Sequence, residues 1–189
     1  MSEYAHPELL AEPDWLQANL DNPNVRVIDC ATLEAYRRAH IPGAVQLPVH
    51  YYIKEEDPEG SDHGTLVMPP KQFEELMARL GVSDDTLVVT YDDNNALVAS
   101  RLWWVLKYYG HTNAKVLNGG WHRWMTEGRP VTFHATRAPK GSFTASPRRG
   151  CAMTSTTRYG QLAWSLAWRS SSLPWYCSAA TCALPTPNT

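Results

Sequence analysis

The sequence predicts an α/β protein: one doubly wound parallel sheet with helices on both faces, followed by an irregular C-terminal tail. Three observations predict it. Short β-branched apolar runs alternate with longer segments of helical period. Gly or Pro stands at many of the junctions. The composition then changes abruptly: from Arg149 to Thr189 there is no Asp, Glu or Lys.

The elements follow in order. "EPDWLQANL" reads as a short helix, with Glu12 or Asp14 near its start and Trp15, Leu16 and Leu20 on one side. "VRVID", Val25 to Asp29, is a strand. Thr32 is placed to cap a helix running to about His40. Pro42-Gly43 turns the chain into a second strand, 44–48. Residues 50–69 form a long polar connection. Pro70 takes a first helical position, and Gly81 stops that helix. "LVVTY", 87–91, is the third strand. A long helix starts near Ala96 and ends at Gly110. "KVL", 115–117, is a fourth strand, and Asn118-Gly119-Gly120 turns into a last helix ending near Gly128 and Pro130. Strands alternating with helices at this spacing imply parallel pairing. The domain is therefore expected over residues 1–148 and the tail over 149–189.

Composition excludes several function classes. A formal net charge of −2 points to neither nucleic acid nor an anionic membrane as partner. The N-terminus is acidic and lacks the apolar core of a leader or anchor, and no apolar run reaches the roughly 18 residues of a membrane helix. The expected location is the cytoplasm. Of the four cysteines only Cys30 precedes the tail, so the main domain holds no disulfide framework. Cys177 and Cys182 lack a matching Cys/His pair at zinc spacing, and neither a metal nor a cofactor is expected. Two readings of the tail stay open: a shifted reading frame after a coding domain, and a disordered or partner-docking segment.

The stretch "YDDNNALVASR", 91–101, carries the functional question. A loop from a strand into a helix N-terminus is where α/β proteins place chemistry, because amide donors and the helix dipole face it. This loop offers Asp92, Asp93, Asn94 and Asn95, with no Cys, Ser, Lys or glycine-rich turn. Helix capping is the simplest role for Asp92 or Asp93.

Four blocks go beyond a generic pattern: "VRVIDCATLEAYRRAHIPGAVQLPV", "PKQFEELMARLGVSDDTLVVTYDD", "ASRLWWVLKYYGH" and "KVLNGGWHRWMTEGRPV". In this order the chain resembles the N-terminal domain of the tandem-domain sulfurtransferases, thiosulfate sulfurtransferase (rhodanese) and 3-mercaptopyruvate sulfurtransferase. The resemblance covers roughly residues 5–147. It implies a rhodanese-like fold and a sulfur-donor anion as the family's small-molecule partner. It also implies a second rhodanese-like domain that carries the nucleophilic cysteine and packs on the loop face. Asp92 then stands where that second domain has its cysteine, and the chain alone is expected to be inactive; the alternative is a non-catalytic rhodanese-like module that acts through binding or assembly. Leu97, Val98 and Arg101 are the implied interface residues, with helix packing as the alternative for the two apolar ones. Arg101 is expected either to pair with Asp92 or Asp93 or to be a solvated helix arginine. His40, Pro42, Gly43, Asn118, Gly119 and Gly120 are expected to define turns of the fold. Cys30 reads as a core thiol, and Trp103, Trp104 and Trp121 as core and interface aromatics. A dual-specificity phosphatase, a fold relative, is excluded because residues 91–101 contain no Cys.

Overall fold

The computed structural model describes residues 4–49 and 67–147. Residues 50–66 of the expected polar connection and the whole of the expected tail lie outside the described residues. After a 3-10 turn at Pro7–Leu9 come β1 (Leu10–Ala11), α1 (Pro13–Ala18), β2 (Val25–Asp29), α2 (Leu33–Arg38) and β3 (Val45–Gln46). Then follow α3 (Pro70–Arg79), β4 (Leu87–Tyr91), α4 (Ala99–Tyr108), β5 (Ala114–Leu117) and α5 (Gly120–Thr126). Five strands form one sheet in the order β1-β5-β4-β2-β3, and each pair is parallel.

The sheet is apolar on both faces because it is covered on both. On one face Ile28 and Val88 pack with Phe73 and Met77 of α3 and with Leu102 and Leu106 of α4. On the other, Val27 and Val89 pack with Leu16 of α1 and Trp124 of α5. The side-chain alternation of a strand sends its neighbours to opposite cores.

Three expectations about elements need correction. β1 lies where no strand was expected: a two-residue strand has too little pattern to read, and it exists because Leu10 and Ala11 register with Val116 and Leu117. β3 covers only Val45–Gln46, not 44–48, because Leu47 donates to the Asp29 carbonyl at 2.8 Å and the ladder then ends. α4 begins at Ala99 rather than near Ala96, because Asn95 and Ala96 sit at φ of 54° and 64°. Left-handed backbone cannot be part of a right-handed helix.

Among the described residues no helix is long and apolar enough to cross a membrane.

Candidate functional site: the loop after β4

All strands are parallel, so the C-terminal ends of β2 and β4 lie at the same sheet edge, with Asp29 registered against Tyr91. β2 leads through α2 to β3 on one side, whereas β4 leads through α4 to β5 on the other. The two outgoing connections diverge and leave a crevice between them, the position at which open α/β sheets bind ligands.

The β4–α4 loop wraps around one side chain. Asp92 is 1% exposed. Its Oδ1 accepts the N–H groups of Asn94 at 2.9 Å and Ala96 at 2.8 Å. Its Oδ2 accepts those of Val98 at 2.7 Å and Ala99 at 2.8 Å. The second pair satisfies donors at the helix start, where the dipole also favours an anion. Left-handed backbone at Ala96 costs about 1–2 kcal/mol; it is what turns the loop amides inward, and the four charge-assisted bonds offset it. The Asp92 carbonyl accepts from the Trp121 N–H at 3.0 Å, tying the loop to α5. A Cβ at Gly120 would stand 2.9 Å from that same carbonyl, so this glycine permits the approach.

The neighbouring carboxamides and carboxylate do not share this role. Asp93, Asn94 and Asn95 are exposed, and among the described residues Asp93 makes no side-chain hydrogen bond or ion pair. Leu97 is 46% exposed on the outside of the loop, and Val98 is half-buried against the α3–α4 core. Arg101 pairs with neither Asp92 nor Asp93. Its Nη2 is buried without a hydrogen-bond partner among the described residues, and burial lowers the guanidinium pKa. It is not a solvated helix arginine either.

The turn residues are placed by specific bonds. His40 presents Nδ1 to the Tyr36 carbonyl at 2.7 Å and Nε2 to the His134 carbonyl at 3.2 Å, and its ring stacks on Tyr36 at 3.7 Å. Pro42 and Gly43 are the central residues of a turn closed by Ala44 N–H on the Ile41 carbonyl at 3.0 Å, with Gly43 at φ of 78°. Asn118 donates to Glu12 Oε1 at 2.6 Å. Gly119, at φ of 79°, is the N-cap of α5. Trp103 donates its indole N–H to the Ala114 carbonyl at 3.0 Å, Trp104 stacks on Tyr108, and Trp121 stacks on Tyr91. Cys30 is buried, and desolvation, with Asp92 and Asp29 nearby, pushes its thiol up well above the ordinary range. That environment opposes the thiolate a nucleophile needs.

One pair of residues escaped the sequence reading. Tyr91 donates its hydroxyl to Asp29 Oδ2 at 2.6 Å, and the Ala31 N–H reaches Oδ1 at 2.9 Å. The Tyr91 oxygen in turn accepts the Ile41 N–H at 3.1 Å. The available signal was a carboxylate at the very end of an apolar strand. Burial pushes Asp29 up from 3.8 to about 6, against the opposing effect of the Tyr91 bond. Between those values the folded chain holds more protons than the unfolded one. Stability therefore falls as pH rises through this window, and the deficit is complete above about pH 7. A shift of about two units corresponds to roughly 3 kcal/mol. The unfolding free energy of the parent is expected to fall by about 2–3 kcal/mol from pH 4 to pH 7.5 through this group, and Asp29→Asn, which cannot ionise, is expected to lose that fall. Denaturant titrations of both proteins at several pH values check this; the same pH dependence in the two proteins would refute it.

Among the described residues no group of three or more His, Cys, Asp and Glu could hold a metal ion.

Comparison with known proteins bears on this geometry. The model of the rhodanese-like domain matches residues 12–127. The "Sulfur carrier protein TtuD" of Thermus thermophilus is 38% identical over 141 residues, which cover 74% of this chain and 47% of that protein. The "Putative thiosulfate sulfurtransferase 1" of Mycobacterium bovis is 33% identical over 144 residues, 76% of this chain and 50% of that protein. The chain thus spans about half the length of these curated relatives. Among solved structures, the 3-mercaptopyruvate sulfotransferase SseA of Escherichia coli superposes with a TM-score of 0.65 at 27% identity. It covers 74% of this chain and 56% of that one.

Proposed function

The chain belongs to the rhodanese-like domain family, and from that premise we propose that it is the non-catalytic member of a pair of rhodanese-like domains in a sulfurtransferase. The sulfur donor of that enzyme is thiosulfate or 3-mercaptopyruvate, and its acceptor is a thiophile such as cyanide or a thiol. The catalytic cysteine belongs to the second domain, which docks on the β4–α4 loop through Leu97, Val98 and Arg101. The same reading puts the protein in the cytoplasm, where thiols stay reduced.

The observation that carries the proposal is the Asp92 carboxylate held by four loop N–H groups. Sulfur transfer needs a thiolate that takes a sulfane sulfur as a persulfide and passes it to the acceptor. A ring of amides around the nucleophile position suits that chemistry, since it favours the anion. A carboxylate takes the same favourable field, yet its oxygens cannot carry and release sulfane sulfur. The loop therefore keeps the shape of a nucleophile's cradle and fills it with an inert anion. Cys30 does not replace the missing thiol, because it is 3% exposed and its environment disfavours the thiolate.

The full chain, given thiosulfate or 3-mercaptopyruvate with cyanide, is expected to form thiocyanate no faster than a protein-free control. Mass spectrometry after donor treatment is expected to find no added sulfur. Turnover by the unmodified chain that Cys30→Ser abolishes would overturn the proposal and make Cys30 the nucleophile.

A further inference from the structure

Beside the Asp92 cradle, in the crevice between the ends of β2 and β4, lies a pocket of about 180 Å³. Its lining includes Asp29, Ala35, Arg38, Tyr91, Asp93 and Trp121. The volume is below the roughly 300 Å³ at which sites for drug-sized ligands begin, so an occupant has to be small. The lining comes from four separate segments: the end of β2, α2, the β4–α4 loop and the start of α5. Such convergence at a topological switch point is the usual setting of a ligand site in this class of fold.

The charges in the pocket are unevenly used. Asp29 already holds the Tyr91 hydroxyl and the Ala31 N–H, one on each oxygen. Each carboxylate oxygen has room for a second donor. Asp93 and Arg38 are exposed at the pocket. Among the described residues neither makes a side-chain hydrogen bond or an ion pair, with each other or with anything else. A free guanidinium and a free carboxylate thus border one small pocket, with a second, buried carboxylate in its wall. The Trp121 indole, stacked on Tyr91 with centroids 6.2 Å apart, supplies an aromatic wall.

This arrangement disfavours a simple anion, which meets two carboxylates, and a simple cation, which meets Arg38. A molecule carrying both charges close together uses every group. We propose that the pocket binds a small α-amino acid, its carboxylate on the Arg38 guanidinium and its ammonium on the Asp93 and Asp29 carboxylates beside the Trp121 ring. An Arg–carboxylate pair is planar and can form two parallel bonds. An ammonium also gains from the face of a tryptophan. The proposal does not depend on the sulfur-transfer reading, because it uses neither a thiol nor a donor.

The test is a titration of the full chain, ¹⁵N-labelled at tryptophan, followed through the indole N–H resonance of Trp121. L-Alanine, ethylamine and propionate serve as probes: the zwitterion, the same skeleton without its carboxylate, and the same skeleton without its ammonium. L-Alanine is expected to shift the resonance saturably at millimolar concentration. Ethylamine and propionate are each expected to bind about tenfold more weakly or worse, since ethylamine forfeits the Arg38 pair and propionate the contacts with Asp93 and Asp29. Arg38→Gln and Asp93→Asn replace exposed side chains, so both variants are expected to fold, and each is expected to lose L-alanine binding by a similar factor. The absence of a saturable shift with L-alanine up to tens of millimolar would overturn the proposal. So would equal binding of the three probes, or undiminished binding by both variants. Binding of ethylamine alone would replace it with a site for a cation, and binding of propionate alone with a site for an anion.

Discussion

Asp92→Ala is expected to destabilise the domain by about 4 kcal/mol or more, a loss few single substitutions reach. The side chain is 1% exposed and is the shared acceptor for four N–H groups. Removing it leaves those donors facing an apolar methyl, at a cost of about 1–3 kcal/mol for each buried one. The left-handed conformations of Asn95 and Ala96 would also lose the anion that holds them. Asp92→Cys separates the electrostatic role from the shape. Its thiolate can accept the same amides, so this variant is expected to be more stable than Asp92→Ala at pH 8. The same amides are expected to hold its thiol below the ordinary value near 8.5, read from the pH dependence of the thiolate's ultraviolet absorbance. A loss below about 1 kcal/mol for Asp92→Ala would mean that the loop amides find water at no cost, and the cradle would not be a constraint.

Trp124→Ala is expected to cost about 3–5 kcal/mol through the cavity it opens. Trp124 is 0% exposed beneath β2, β4 and β5, packed with Val27, Val89 and Leu117. Its indole N–H donates to the Pro130 carbonyl at 2.8 Å, and the Arg129 guanidinium lies 5.5 Å from the ring. The consequence extends to the site, because α5 also carries Trp121, whose N–H holds the Asp92 carbonyl and whose ring walls the pocket. Thermal unfolding of Trp124→Ala is expected roughly 10 °C or more below the parent. Trp124→Phe, which keeps most of the volume, is expected to lose less than half as much. Equal losses for the two variants would assign the effect to the indole hydrogen bond rather than to packing.

Both expectations rest on the same pattern of anchoring. The β4–α4 loop is fixed from below by β4, from one side by α4 and from the other by α5. Its one inward carboxylate is answered by backbone donors alone. A fourth contact, Thr90 Oγ1 on the Ala99 carbonyl at 3.1 Å, pins the start of α4 to the strand that feeds the loop. Rigidity of this kind would favour the docking proposed for this loop, since little conformational freedom remains to be lost there.

The sequence by itself determined the class of the fold. Runs such as "VRVID" and "TLVVTY" set between helical segments carry the periodicity of a two-sided parallel sheet, and that signal is local. It also determined what the β4–α4 loop lacks, because the absence of a cysteine between Tyr91 and Arg101 is a matter of reading letters. Tertiary structure alone decided the rest. β1 and β3, two residues each, exist only through the ladders of longer neighbours. Asp29 and Tyr91 lie 62 residues apart and meet because β2 and β4 pair in register. The start of α4 moved from Ala96 to Ala99 because the Asp92 carboxylate competes for the loop amides and holds Asn95 and Ala96 left-handed. Helical period records which residues face a core, but not where a buried anion diverts the backbone from the helix. That choice depends on how many donors converge in space, and only the folded loop brings them together.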